Sequence, residues 1–131
     1  MADLFSADWM ASFQNVWNSE AGLSDELEKI GFTSTIGYGF AGDDAPVGVL
    51  VVENGKATAG VAYDGQELNW DLRASKDHWE KWLKKPPGMM GLGMAYTSGK
   101  LKFNVGDYGA MVKDPRMAGP FVKSFAAMGK A

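Results

Sequence analysis

His78 has the side chain best suited to acid–base chemistry in this sequence. It is the one histidine, with Asp77 before it and Glu80 two residues after it. An imidazole beside carboxylates can exchange protons near neutral pH. However, a lone histidine among charged residues on a helix is more often a solvated surface residue than a catalyst. In an enzyme, Asp77 with His78, or Tyr96, would be the acid–base group, and a cleft around it would be required.

Other kinds of catalytic or metal chemistry find little support in the residue types. The chain has no cysteine, which excludes disulfides, thiolate catalysis and cysteine metal sites. Its adjacent carboxylates, Asp43-Asp44 and Asp25-Glu26, are explained by a turn and by a helix start. The glycines within 88–93 lack the Gly-Lys-Ser/Thr ending of a phosphate-binding loop. We therefore predict no catalytic residue, no metal site and no cofactor.

The composition indicates one domain with enough apolar residues for a core. The chain has 131 residues, of which 46% are hydrophobic, and a formal net charge of −3. We expect a single domain over 1–131. The acidic balance offers no cationic excess for phosphates, which argues against a nucleic-acid partner. No segment approaches the roughly 18 apolar residues of a membrane span, and neither terminus resembles a secretory or peroxisomal signal, so we expect a cytoplasmic protein.

The first half of the chain changes from helical to strand periodicity. Ser6 is expected to cap an amphipathic helix, and Ser24 a second helix over 24–30. Alternating apolar residues then predict four strands in a meander, joined by turn sequences such as Asn54-Gly55 and spanning 32–40, 47–53, 56–63 and 68–74. The second of these strands is almost continuously apolar, so we expect it to be an inner strand covered on both faces.

The second half combines helices with one further strand. Ser75 and the Pro86-Pro87 pair delimit a helix over Lys76–Lys84. The segment 88–94, rich in glycine and methionine, is either a loop or a glycine-weakened helix. A strand over 100–105, a short helix over Tyr108–Lys113 and an amphipathic terminal helix follow, the last with the apolar residues Met117, Phe121, Phe125 and Met128. The fold class is therefore α+β.

From 48 to 128 the sequence resembles the sterol carrier protein 2 family. The shared features are the strand with Trp70-Asp71-Leu72, the capped helix that follows it, the methionine-rich segment, and Gly99-Lys100-Leu101-Lys102. Gly106 comes one residue later than in the family pattern, which predicts a β-bulge. The resemblance implies about five mostly antiparallel strands in a sheet covered by helices, with an apolar tunnel between sheet and helices.

The resemblance also implies a function, namely non-catalytic binding or transfer of an apolar lipid. The ligands of the family are fatty acids, acyl-coenzyme A esters, phospholipids and sterols. Carried over residue by residue, the tunnel walls would be Trp82, Leu83, Met89, Met90, Met94, Tyr96, Phe103 and Met111. The C-terminal helix would close the tunnel as a lid through Phe121, Phe125 and Met128. A terminal amphipathic helix can also touch a membrane briefly during loading.

An alternative function is that of an accessory or interaction subunit in a lipid-, steroid- or hydrocarbon-metabolising enzyme system. The same fold would then present its tryptophans and methionines to a partner enzyme. An exposed apolar patch without a tunnel would favour this alternative. The amphipathic terminal helix carries Lys123 and Lys130 but no basic cluster, so we expect membrane contact to be transient at most.

Overall fold

A computed structural model describes residues 3–131 and has an α+β architecture, as the sequence predicts. The helices are α1 (Ala7–Ser19), α2 (Glu26–Lys29), α3 (Lys76–Lys84), α4 (Met89–Thr97), α5 (Tyr108–Lys113) and α6 (Pro115–Met128). The strands are β1 (Ser34–Phe40), β2 (Gly48–Glu53), β3 (Lys56–Ala62), β4 (Trp70–Ala74) and β5 (Lys102–Val105). The segment 88–94, for which the sequence left two possibilities, is helical and begins α4.

The five strands form one mixed sheet in the order β3-β2-β1-β4-β5. Three of its four pairings are antiparallel, and β1 pairs with β4 in parallel. The predicted four-strand meander is therefore wrong, because β4 lies beside β1 and not beside β3. The prediction that β2 is an inner strand is confirmed, since Val49 and Leu50 on its two faces are both fully buried.

Loops, including the connection from β3 to β4, cover the sheet face opposite the helices. Pro46 and Leu68 lie against Gly37, where a Cβ atom would stand 2.9 Å from the Leu68 side chain. On the same face Arg73 forms a buried two-point ion pair with Asp71, with N···O distances of 2.6 and 2.9 Å. A buried ion pair that satisfies both groups avoids the cost of an unpaired charge. This face is therefore closed by loops and polar contacts.

The helices cover the other face of the sheet, and α1 approaches it unusually closely. At Gly48 a Cβ atom would stand 2.6 Å from the Met10 side chain, and at Gly60 it would collide with the Met10 backbone. Because these two strand positions lack side chains, α1 can pack directly on β2 and β3. The helix buries Phe13 and Trp17 there, and it forms one side of the core.

Serine caps account for two helix starts but not for a third. The Ser6 hydroxyl accepts from the Trp9 amide at 3.3 Å, and that of Ser75 accepts from the His78 amide at 3.2 Å. The predicted cap at Ser24 is wrong. The chain forms a π-helical turn over Ala21–Asp25 before α2, and the buried Ser24 hydroxyl donates to the Glu20 carbonyl oxygen.

The predicted bulge near Gly106 is confirmed. The β4–β5 register pairs Asp71 with Val105 but Leu72 with Phe103, so one residue of β5 is left over. Gly106 follows with φ of 101°, and a Cβ atom there would collide with the Trp70 ring. A glycine is required for both reasons. The bulge thus ends β5, and the glycine that follows it leaves room for the Trp70 ring beneath the helices.

Candidate functional site

An apolar cavity lies between the sheet and α6. The parallel register of β1 and β4 places Ile36 beside Trp70 and Tyr38 beside Leu72 on the face that the helices cover. Since side chains alternate along a strand, these four residues form one continuous wall. Helix α6 lies opposite and contributes Phe121. The predicted space between the sheet and the helices is therefore present as a cavity, and its extension into a tunnel stays a prediction.

The cavity is almost wholly apolar and small. The space between its walls totals about 440 Å³, part of it open to solvent, but the portion that admits the centre of a water molecule is about 40 Å³. Such a volume holds a few waters, whereas ligand pockets commonly measure about 300–1,000 Å³. The side chains that line it are Trp17, Leu27, Phe32, Ile36, Tyr38, Trp70, Leu72, Met111, Met117, Phe121 and Ser124.

Most polar side-chain groups in these walls are already hydrogen-bonded. The Trp17 indole donates to the Gly55 carbonyl oxygen at 3.0 Å, and the Trp70 indole donates to the Ser34 hydroxyl at 3.3 Å. Ser124 donates back to its own helix. Burial raises the pKa of Tyr38 far above its usual value, so its hydroxyl is protonated at any physiological pH. No wall residue carries a charge.

Five of the residues predicted to bind the ligand form a continuous aromatic row. The rings of Tyr96 and Phe103 are 5.9 Å apart, and Phe103 lies 6.0 Å from Phe121. Phe121 contacts Phe125 at 5.3 Å, and Phe125 contacts Trp82 at 5.9 Å, in both cases edge to face. Edge-to-face geometry is favourable for aromatic pairs. The row therefore connects α4 to the cavity wall and then to α3.

Only two of the predicted residues, Met111 and Phe121, line the cavity itself. Phe125 and Met128 are almost fully buried on α6 and belong to the core, with Leu83 partly buried against it. Phe121 is thus the point where the aromatic row meets the cavity. If α6 acts as a lid, Phe121 is its contact with the interior, and Phe125 and Met128 hold its C-terminal half.

The three remaining predicted residues, Met89, Met90 and Met94, lie on the outer side of α4. Their side chains are 44%, 83% and 70% exposed, and Tyr96 on the same helix is 42% exposed. Leu92 and Ala95 form the buried side of the helix. These methionines therefore contribute to a surface patch, here called the α4 methionine patch (Met89, Met90 and Met94), and not to the cavity walls.

The sequence interpretation missed the sheet side of the site. Ile36, Tyr38, Trp70 and Leu72 are the apolar positions of two alternating strand patterns, and that alternation was the available signal. It shows that the residues of one strand share a face. It does not show that β1 and β4 are neighbours, and without that pairing the wall could not be assembled. The prediction instead assigned wall roles to the methionine-rich segment, whose composition is unusual.

The residues of the enzyme alternative lie apart from the cavity walls. The His78 ring packs on Trp82 with 5.9 Å between centroids, and its Nδ1 is buried without a partner. Asp77 is exposed, and Tyr96 stacks on Tyr108 at 4.2 Å. Within residues 3–131, no three histidine, aspartate or glutamate side chains come together as a metal site. Asp77, His78 and Tyr96 are thus not among the residues that line the cavity.

Solved structures similar to this chain share one fold. The crystal structure of sterol carrier protein 2 has a TM-score of 0.78 and 16% identity, over 98% of this chain and 99% of that one. The solution structure of a conserved hypothetical protein of Thermus thermophilus, described as possibly a sterol carrier protein, has a TM-score of 0.67 and 19% identity, over 96% and 90%. A ubiquinone synthesis protein, UbiJ-SCP2, has a TM-score of 0.61 and 12% identity, over 98% and 93%.

These similarities define the chain as a domain with the sterol carrier protein 2 fold, and the resemblance in the sequence is confirmed at that level. No protein-family model matches the chain, and no curated protein matches it in sequence. Among residues 3–131 there is no helix long and apolar enough to cross a membrane.

Proposed function

We propose that the chain over 1–131 is one cytoplasmic domain that binds and transfers an apolar lipid without catalysing a reaction. The observation that carries this proposal is the apolar cavity between the β1/β4 wall and the terminal helix. The similarity to sterol carrier protein 2 supports it, because the whole chain shares that fold. Binding would be driven by apolar surface removed from water, at about 25 cal/mol per Å².

A lipid enters this cavity only if α6 moves. Its N-terminal half carries Met117 and Phe121, both partly exposed, at the cavity wall. Pro120 lies inside the helix and cannot donate to the carbonyl of the preceding turn, which weakens the helix at that point. The C-terminal half is held more firmly, through the buried Phe125 and Met128. We propose that the first half of α6 is displaced on loading while the second half remains packed.

Two experiments test the proposal: detection of a lipid bound to the purified chain, and a substitution that fills the cavity with a side chain. Native mass spectrometry of the purified chain, followed by solvent extraction, is expected to reveal a bound lipid. Fatty acids, fatty alcohols and sterols are then added, and the rise in melting temperature is measured. Ser124→Leu extends a side chain into the cavity and should abolish the rise. Ala126→Leu, two residues further on the same helix but outside the cavity walls, should retain it. If no member of the panel raises the melting temperature, the carrier proposal is wrong.

The α4 methionine patch favours a second candidate function, that of an accessory subunit. Large apolar side chains at 83% and 70% exposure are unusual on a monomer and are typical of a contact surface. Methionine adapts its shape to different partners at low cost. The similar structure of UbiJ-SCP2 is that of a ubiquinone synthesis protein. The patch would then dock the chain onto an enzyme that uses an apolar substrate.

The charges around the patch indicate an acidic partner surface. Residues 81–106 contain no acidic residue and five exposed lysines, Lys81, Lys84, Lys85, Lys100 and Lys102. None of the five forms an ion pair with a residue in 3–131. Unpaired lysines on both sides of the apolar helix would steer it towards negative charge. The occupant we propose is a protein with an acidic rim around an apolar groove.

Photocrosslinking distinguishes this partner from a membrane. A photoreactive residue at position 90 is introduced into the full chain in the cells that produce it, with position 113 as the exposed control. We expect one enzyme crosslinked from position 90 only. Binding of that purified enzyme should weaken on the order of tenfold in Lys84→Gln/Lys85→Gln and not in Lys113→Gln/Lys123→Gln. Crosslinks to lipid alone would show transient membrane contact instead, and identical products from both positions would contradict a specific patch.

A further inference from the structure

Tyr38 is the one cavity wall residue whose polar side-chain group has no hydrogen-bond partner among residues 3–131. Its side chain is 2% exposed and lines the cavity. Burial alone raises the pKa of its hydroxyl, with no contribution from a hydrogen bond to any residue in 3–131. In the same range, the buried polar side-chain atom that lacks both solvent and a partner is His78 Nδ1. The Tyr38 hydroxyl therefore has no hydrogen-bond partner among residues 3–131, and the open space beside the Tyr38 side chain is the cavity that it lines.

The other side-chain donors in the wall are already used within the protein. The indole nitrogens of Trp17 and Trp70 each have one hydrogen, and both are donated to protein oxygens. Ser124 donates its hydrogen to the Phe121 carbonyl oxygen of its own helix. A ligand that carries a hydrogen-bond acceptor would thus find one free side-chain donor in the wall, and that donor is Tyr38.

Packing fixes the direction of this donor. The Tyr38 ring stacks on Phe5 at 5.6 Å and receives the edges of Phe13 at 5.8 Å and Trp79 at 6.4 Å. Phe5 and Trp79 are themselves fully buried. A ring held on several sides cannot turn its hydroxyl out to solvent without displacing the core. The hydroxyl must therefore find its partner in whatever fills the cavity, since a buried hydroxyl without a partner is costly.

The charge of the walls restricts that partner further. The lining residues include neither lysine, arginine nor histidine. A carboxylate or phosphate in this cavity would be a buried charge without a counterion, which is far more costly than a neutral polar group. Since Tyr38 stays protonated, it can donate to a neutral oxygen. A neutral hydroxyl or carbonyl oxygen satisfies the donor without introducing a charge.

We propose that Tyr38 selects apolar ligands that carry one neutral oxygen, and that this oxygen lies inside the cavity and accepts a hydrogen bond from the Tyr38 hydroxyl. The ligand class is a long-chain or polycyclic alcohol, ketone or quinone, and any anionic headgroup stays outside. The proposal rests on the proposed carrier function and adds to it a direction of binding and a selectivity.

Matched probes of one chain length test the selectivity. The affinities of the full-length protein for 1-dodecanol, 2-dodecanone, dodecane and dodecanoate at pH 8 are measured by calorimetry or tryptophan fluorescence. We expect the alcohol and the ketone to bind about tenfold more tightly than the alkane, as one additional hydrogen bond implies, and dodecanoate to bind more weakly than the alcohol. In Tyr38→Phe the preference for alcohol over alkane should disappear, while alkane affinity should stay the same. Tyr108→Phe is the control and should keep the preference.

The outcomes separate this inference from the carrier function. If dodecane and 1-dodecanol bind the wild type equally, or if dodecanoate binds most tightly, the role of Tyr38 is overturned while lipid binding stands. If the preference survives in Tyr38→Phe, the donor lies elsewhere. If none of the four probes binds and no member of the earlier panel of fatty acids, fatty alcohols and sterols raises the melting temperature, the carrier proposal itself fails. The wild-type series decides the question even if Tyr38→Phe folds poorly.

Discussion

The cavity wall and the α4 methionine patch are both rich in large apolar side chains, but they use them in opposite ways. Around Tyr38 the rings interlock, and the indoles of Trp17, Trp70 and Trp79 each donate to a protein oxygen. On α4 the methionines extend into solvent. Rigid rings with satisfied polar groups give the cavity one shape and hold a hydrogen-bond donor in one direction. Flexible thioethers fix neither a surface shape nor a donor direction. We therefore expect the wall to select the ligand and the patch to adapt to a partner.

Aromatic contacts nevertheless connect the cavity wall to α4, the helix that carries the patch. Phe121 of α6 lines the cavity and contacts Phe103, which in turn contacts Tyr96 of α4. If α6 moves on loading, Phe121 must move with it, and the packing of Tyr96 changes. This gives the accessory role a physical basis, because filling the cavity would change the packing of α4 and with it the contact between the patch and a bound partner. The following predictions test the contrast between the two regions in order of decreasing effect.

Replacing Trp79 with alanine should have the largest effect. Its ring is fully buried among Phe5, Tyr38 and Phe125, and its indole donates to the Gly39 carbonyl oxygen at 2.8 Å. We expect Trp79→Ala to lower the free energy of unfolding by about 3–5 kcal/mol in denaturant titrations. Met90→Ala on the patch should change it by less than about 0.5 kcal/mol. Similar losses in the two variants would contradict the contrast between the rigid rings packed around Tyr38 and the exposed patch.

Leu72→Ala should enlarge the cavity and broaden the range of ligands. Leu72 is 1% exposed and lines the cavity on β4. We expect a loss of about 2–4 kcal/mol and tighter binding of longer or bulkier probes, which calorimetry would detect. Leu92→Ala is the matched control, because Leu92 is fully buried on the inner side of α4 but is not part of the cavity wall. It should lose comparable stability without any change in ligand size preference. A shared change in preference would mean that the cavity extends under α4.

Tyr38 should also make the protein sensitive to alkali. Burial raises the pKa of its hydroxyl above the ordinary value of 10.0, so the folded state keeps a proton that the unfolded chain loses. Stability should therefore be unaffected at neutral pH and fall above about pH 10, by about 1.4 kcal/mol per pH unit for this one group. Tyr38→Phe should remove that part of the slope. Burial also raises the pKa of Tyr108, but it is less deeply buried, so Tyr108→Phe should have a smaller effect. Equal effects would contradict the sealed environment assigned to Tyr38.

The local elements were predictable from the sequence because local rules determine them. The limits of α3 follow from the Ser75 cap and from Pro86-Pro87, and the structure has the helix at Lys76–Lys84 as predicted. Ser24 does not cap a helix, because its hydroxyl on the π-helical turn donates to the preceding carbonyl oxygens. A short-range sequence pattern does not predict such a turn. The predicted elements indicate the α+β class, and the family resemblance adds the particular fold.

The site was less predictable because it depends on strand order. The Asp64-Gly65 sequence predicts a hairpin turn between β3 and β4. The chain instead continues across the sheet and places β4 beside β1. Only that parallel pairing brings Tyr38 next to Leu72. The residues that were found in advance, Met111 and Phe121, lie on helices, where the resemblance assigned their roles. The sheet wall required a tertiary arrangement that no local pattern contains.

The smallest predicted effect is a gain in stability on α4, from Gly93→Ala. Gly93 lies inside the helix, where glycine is less favourable than alanine by about 0.8–1 kcal/mol. The added methyl group would stand 3.7 Å from the Tyr108 hydroxyl, an ordinary contact, whereas at Gly91 it would come within 3.1 Å of Pro87. We therefore expect Gly93→Ala to raise the free energy of unfolding by about 0.5–1 kcal/mol, and Gly91→Ala by less. If a weak α4 is needed for contact with a partner, Gly93→Ala should keep ligand binding and reduce crosslinking from position 90, because the helix can no longer adapt. Unchanged crosslinking would mean that the patch acts as a rigid surface, and its glycines would then need another explanation.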